Sequence, residues 1–97
     1  MVNRQIILAT LKQAKPALVK KYGVKDIALF GSYSRNTAVA GKSDVDVMVA
    51  FSQPIGLAFV DLADELEQLL QTKVDLVSRN GIKPKYFTVI EPDLIYV

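Results

Sequence analysis

The sequence contains no cysteine and no histidine. Without cysteine there is no disulfide framework, no thiolate nucleophile and no Cys-ligated zinc or iron–sulfur cluster. Without histidine there is no Ser-His-Asp triad, no imidazole acid–base catalysis and no His-ligated metal. Any chemistry therefore falls to carboxylates, Lys, Arg, Tyr and hydroxyls, and any metal to a hard, oxygen-ligated cation such as Mg²⁺ or Mn²⁺. No apolar run approaches the roughly 18–20 residues of a membrane span. The N-terminal stretch MVNRQIILATLKQAK lacks a small-residue cleavage site and keeps helical periodicity, so it does not read as a signal peptide. A cytoplasmic location without membrane contact is the expectation.

What is present is 97 residues, 51% of them hydrophobic. That length predicts a single domain, 1–97, with one core. The composition buries enough apolar surface to offset chain entropy, so disorder is excluded. The net charge is only +2, but it is unevenly spread. Residues 1–43 carry eight basic residues against the single acid Asp26, while residues 44–97 carry four against nine acids. Such polarity suits an anionic substrate with its metal ions, and equally a charged partner surface.

Read along the chain, the elements are short and alternate. Asn3 is a candidate cap for a helix over about Arg4 to Lys15, with Ile7, Leu11, Ala14 and Leu18 at helical spacing. Pro16 either kinks that helix or opens a second short one, and Gly23 reads as the stop. Asp26–Phe30, Asp46–Phe51 and Lys73–Val77 read as strands. Gly56 to Gln71 is a helix with Phe59, Leu62, Ala63, Leu66, Leu69 and Leu70 as its apolar stripe. Lys85–Ile90 reads as a short helix. The tail Leu94–Val97 is either a strand closing the sheet or, with Tyr86–Ile90, an interface segment. The order predicts an α/β (α+β) fold: a small mixed sheet covered by helices. In it the first two strands are antiparallel neighbours, and a helical crossover leads to the third.

The chemistry concentrates in Ser43-Asp44-Val45-Asp46-Val47-Met48-Val49. Strand alternation puts Asp44 and Asp46 on one face and the three valines on the other. Val74-Asp75-Leu76 repeats the pattern. If these strands are neighbours, three carboxylates share a patch able to hold one or two divalent cations together with substrate phosphates. A solvated turn and an edge-strand charge explain the same residues taken singly. Upstream, Gly31-Ser32 follows an apolar strand. Glycine permits close backbone approach to a phosphate. Ser32 offers a hydroxyl, a short helix starting near Ser34 would aim its N-terminus at the same spot, and Arg35 lies one turn on. Taken alone, Gly-Ser is also an ordinary strand-ending turn, and no P-loop motif is present.

As a set, Gly31-Ser32-Tyr33-Ser34-Arg35, Ser43-Asp44-Val45-Asp46 and Val74-Asp75-Leu76-Val77 strongly resemble the DNA polymerase β-type nucleotidyltransferases. The short chain resembles their minimal nucleotidyltransferase (MNT) branch. Two departures stand out: eleven residues separate Ser32 from Asp44, and Asn36 stands where glycine is common.

The resemblance implies a palm-like nucleotidyltransferase fold. Asp44 and Asp46 would hold two Mg²⁺ (or Mn²⁺) ions, and Asp75 would join them at the catalytic ion. Gly31, Ser32 and Arg35 would contact the nucleotide. It further implies transfer of AMP from ATP to a tyrosine of a HEPN-domain ribonuclease toxin, with this chain as the antitoxin in a hetero-oligomer. A non-catalytic antitoxin that neutralises its partner by contact alone is the alternative. Nucleic-acid binding through the basic first helix is disfavoured, because that helix lacks interleaved exposed aromatics.

Overall fold

The computed structural model describes residues 2–97. Helix α1 runs over Arg4–Tyr22, β1 over Val24–Phe30, α2 over Gly31–Ser34, β2 over Val45–Phe51 and α3 over Ala58–Leu70. Strand β3 covers Val74–Ser78, α4 Pro84–Ile90, a 3₁₀ turn Glu91–Asp93 and β4 Ile95–Tyr96. Among the described residues no helix is long and apolar enough to cross a membrane.

Helix α1 starts where Asn3 caps it, its Oδ1 accepting the Ile6 N–H at 2.9 Å. It stops at Gly23, which takes a left-handed φ of 69° and donates its N–H to the Val19 carbonyl. Pro16 neither ends the helix nor splits it: the element is continuous for 19 residues. Burial of Ile7, Leu11, Leu18 and Tyr22 on one face outweighs the hydrogen bond that proline removes. Each such side chain contributes roughly 1.5–3 kcal/mol when fully buried.

The sheet order is β3-β2-β1-β4. β1 pairs antiparallel with β2 and with β4, while β2 and β3 are parallel, joined through α3. The tail therefore closes the sheet instead of standing free for a partner. Ile95 pairs with Leu29 and Tyr96 with Ala28, Val97 donates its N–H to the Ile27 carbonyl, and Lys15 Nζ reaches the Val97 carbonyl at 2.7 Å.

The sheet has two unlike faces. Ile27, Leu29, Val45, Val47 and Val49 point into the main core under α1 and α3. Ala28, Phe30 and Met48 point to the other face, where Phe87 and Ile90 of α4, with Leu94, cover them. In α3 the buried positions are Leu62, Leu66 and Leu70, an i, i+4 row. Leu69, expected in that stripe, is 42% exposed. Two acids outside that stripe, Glu65 and Glu67, are anchors. Glu65 accepts from Lys21 Nζ and the Tyr22 hydroxyl at 2.9 and 2.8 Å, and Glu67 accepts the Val74 N–H at 3.0 Å.

Candidate active site

The site forms at one end of the sheet because of strand direction. β1 ends where its antiparallel neighbour β2 begins, so Phe30 pairs with Asp46. β3 runs parallel to β2 in a register that sets Asp75 directly beside Asp46. Asp44 precedes β2 by one residue and falls on the same side as Asp46 by alternation. The opposite face at these positions is apolar, with Val45 paired to Val74 and Val47 to Leu76. The carboxylates thus lie on the face that α4 covers only further along the strands, beside Met48 and Val77.

Asp46 is half-buried, while Asp44 and Asp75 are exposed. Its carboxyl is pushed up to about 6, first by burial, then by the charges of Asp75 and Asp44, with Arg35 opposing. The charges of Asp44 and Asp75 therefore both reach Asp46. They do not close into a preformed cage: among the described residues no three acidic side chains are gathered tightly enough to hold a metal unaided. Like charges on neighbouring strands repel, and the two exposed acids are free to splay.

Gly31 turns the chain immediately after β1 with a left-handed φ of 76°. Helix α2 is a single turn of four residues, too short for a dipole-based anion site. It begins at Gly31, three residues earlier than the expected start. Ser32 is half-buried, and its carbonyl accepts the Thr37 N–H at 2.8 Å. Asn36 has φ 64°, so it fills the left-handed position that glycine often holds. Arg35 lies at the site but is engaged, its Nη1 2.6 Å from Oδ2 of Asp93. Ser34 is buried, donates its hydroxyl to the Asp93 carbonyl and accepts Arg4 Nη1 on its backbone carbonyl at 3.1 Å. Arg4 and Asp93 belong to the site's surroundings and were not expected there. Asp93 is 58 residues from Arg35 in sequence, and no local pattern signals such a contact.

A separate cavity of about 350 Å³, bounded by Phe51, Ile55, Phe59, Ser78 and Asn80, lies at the far end of β2 and β3. No carboxylate lines it.

A Methanocaldococcus jannaschii chain provisionally named a protein adenylyltransferase is 49% identical over 89 residues, 90% of each chain. The protein adenylyltransferase MntA of Thermococcus cleftensis is 36% identical over 98 residues, covering 100% of this chain and 98% of its own. Among solved structures, one provisionally described as a minimal nucleotidyltransferase superposes with a TM-score of 0.78 at 28% identity, covering 97% of this chain and 95% of the other. A chain from a mutant of the toxin–antitoxin MntA–HpeT superposes with a TM-score of 0.69 at 26% identity, covering 100% and 72%. The profile of the nucleotidyltransferase domain spans residues 11–96, from the middle of α1 to the last strand and across every acid described above. The chain belongs to that nucleotidyltransferase family.

Proposed function

We propose that this chain, as a single domain over residues 1–97 acting in the cytoplasm, transfers AMP from ATP to a tyrosine of a HEPN-type ribonuclease toxin and so serves as its antitoxin. The observation that carries the reading is the pairing of Asp46 with Asp75 across parallel strands, with Asp44 adding its charge to Asp46. The similarity to protein adenylyltransferase MntA supports a protein as the acceptor. The likeness to a chain of a toxin–antitoxin assembly supports a toxin as that protein.

The donor set fits divalent metal. It is all carboxylate oxygen, the natural ligand of Mg²⁺ or Mn²⁺, and a half-buried Asp46 flanked by like charges is relieved by a cation. Mg²⁺ keeps waters and shares substrate phosphates, so an open protein half-site suffices. Asp44, Asp46 and Asp75 would hold two ions, whose contribution when bound is charge stabilisation at the entering and leaving oxygens. The remaining work falls to the chain. Gly31 lets the Asp46 carboxylate lie against the turn that leads to Ser32, bringing the nucleotide's contacts and the acids together, and Ser32 and Arg35 donate to the triphosphate oxygens. Asp75 orients the tyrosine hydroxyl and takes up its proton. The hydroxyl oxygen bonds to the α-phosphorus, the bond from that phosphorus to the bridging oxygen breaks, and pyrophosphate leaves.

Incubation with ATP, Mg²⁺ and a cognate HEPN toxin tests this by mass spectrometry. The expected result is AMP added to a toxin tyrosine, abolished in Asp44→Asn/Asp46→Asn. A contact-only antitoxin is the second reading. It is favoured by the exposed apolar side chains Leu57, Tyr86 and Val89, which suit docking more than catalysis. Full neutralisation of the ribonuclease with no modified tyrosine selects that reading.

A further inference from the structure

The C-terminal 3₁₀ turn reaches back to the start of the site at one residue. Asp93 takes both the Ser34 hydroxyl, on its carbonyl, and the Arg35 guanidinium, on its carboxylate. Its own side chain is 19% exposed, against 52% for Arg35. The better-buried acid is therefore the fixed member of the pair, and the arginine is the member held.

The elements around it explain why a tether is needed. Helix α2 is one turn, and its N-cap Phe30 provides no side-chain hydrogen bond. A lone turn does not sustain itself, because nucleation fixes several dihedrals for one hydrogen bond. Asp93 is itself fixed, since β4 follows almost at once and pairs with β1 through Leu29 and Ala28. Arg35 thus hangs between the sheet edge and the carboxylate cluster, its N–H bonded at 3.0 Å to the carbonyl of Gly31, the residue against which the Asp46 carboxylate lies. A guanidinium carries five N–H donors. Asp93 Oδ2 occupies Nη1, and the fork keeps other donors for an incoming anion.

We infer that Asp93 is a positioning residue of the nucleotide site, holding Arg35 beside Asp46 with donors still free for the phosphates of the nucleotide. The inference rests on the nucleotidyl-transfer reading, and it gives the last strand a functional task as well as a structural one. Asp93→Ala frees Arg35 to sample its many rotamers, and the order lost must be restored on each binding event.

A double-mutant cycle tests it, with AMP-PNP and Mg²⁺ as the probe in calorimetry on the full chain. Asp93→Ala is expected to weaken AMP-PNP binding about fivefold in the wild-type background and less than about twofold in an Arg35→Ala background, the coupling expected of residues in contact. Asp93→Glu is expected to recover part of the loss. Thermal unfolding of the same variants separates fold from site: the ion pair is already absent in Arg35→Ala, so Asp93→Ala should lower stability slightly in the wild-type background and less in the other, with every variant folded at the assay temperature. Equal weakening in the two backgrounds, or none in either, overturns the positioning role while leaving nucleotide binding intact. Absence of AMP-PNP binding by the wild-type chain is a different outcome and overturns the nucleotidyl-transfer reading, and this inference with it.

Discussion

The Asp46 carboxylate lies over Gly31, in the space that a side chain at 31 would fill. A β-carbon at 31 would overlap Oδ2 of Asp46 and stand 2.9 Å from its Cγ. Gly31 also sits at φ 76°, where other L-residues are strained. Two independent reasons therefore demand glycine, and only one concerns the site. Gly31→Ala is expected to lose about 2–3 kcal/mol in urea denaturation, combining backbone strain with displacement of Asp46. Adding Asp46→Ala should restore the contact part of that loss and leave the backbone part. If the double variant is no more stable than Gly31→Ala, the carboxylate is not what the glycine accommodates.

Asp46 itself carries a pH signature. Its carboxyl is raised to about 6 in the fold by burial and by its acidic neighbours, so the folded state binds that proton more tightly than the unfolded chain does. The penalty is absent below about pH 4, grows as pH rises through about 6, and is constant above. Because the group is half-exposed and screened, the destabilisation at neutral pH is on the order of 1 kcal/mol. Metal-free Asp46→Asn is expected to be more stable than wild type by about that amount at pH 7 and indistinguishable from it at about pH 4. Chemical denaturation across that range checks it, and an equal stability difference at both ends would contradict it.

The three strands around the site and the faces of their residues were legible in the sequence, because period-2 alternation is local. Val45, Val47 and Val49 against Asp44 and Asp46 need only five consecutive positions. The neighbour relation of β2 and β3 stayed conditional, because the single helix between them permits a crossover without fixing which strand lies alongside; the parallel register supplies it. Two kinds of feature were not legible. The continuity of α1 through Pro16 is settled by tertiary burial on both sides of the proline, which overrides a local breaker. The clamp of Arg35 and Ser34 by Asp93 joins residues 58 and 59 positions apart in the chain. Nothing near Asp93 distinguishes it from any acid in a surface turn.

Helix α3 ends on a conformational compromise that can be relieved. Gln71 is its C-terminal cap in the left-handed region, at φ 55°, where glycine is the usual residue. Its amide donates to the Gln68 carbonyl at 2.6 Å, a solvent-exposed bond of modest net value. Removing the β-carbon relieves about 1 kcal/mol of backbone strain, while glycine's extra unfolded-state freedom opposes part of that gain. Gln71→Gly is expected to stabilise the domain by roughly 0.5 kcal/mol, read as a small rise in the denaturation midpoint at unchanged slope. A fall in the midpoint would mean that the side-chain bond to Gln68 outweighs the strain.

The last expectation concerns the carboxylate opposite Asp46. Asp75 is exposed and stands beside Asp46 across the parallel pair, so its removal leaves no cavity and no unpaired buried group. Asp75→Asn should therefore leave the fold intact. It should also let Asp46 relax toward the ordinary aspartate range, since Asp75 is the larger of the two charges that raise it. Binding of AMP-PNP should respond in the opposite sense. Three carboxylates tolerate one another here at a cost in stability, and on the proposed function that cost would be offset by divalent metal arriving with triphosphate. Chelation of Mg²⁺ by EDTA is expected to remove most AMP-PNP affinity from the wild type. Asp75→Asn should weaken the Mg²⁺-dependent part by about tenfold, the scale of one lost charge-assisted contact. Titrations of both proteins, with and without EDTA, check this directly. If AMP-PNP binds equally well after chelation, the carboxylates do not hold metal for the nucleotide, and if Asp75→Asn unfolds the domain, Asp75 serves to hold the strand pair together.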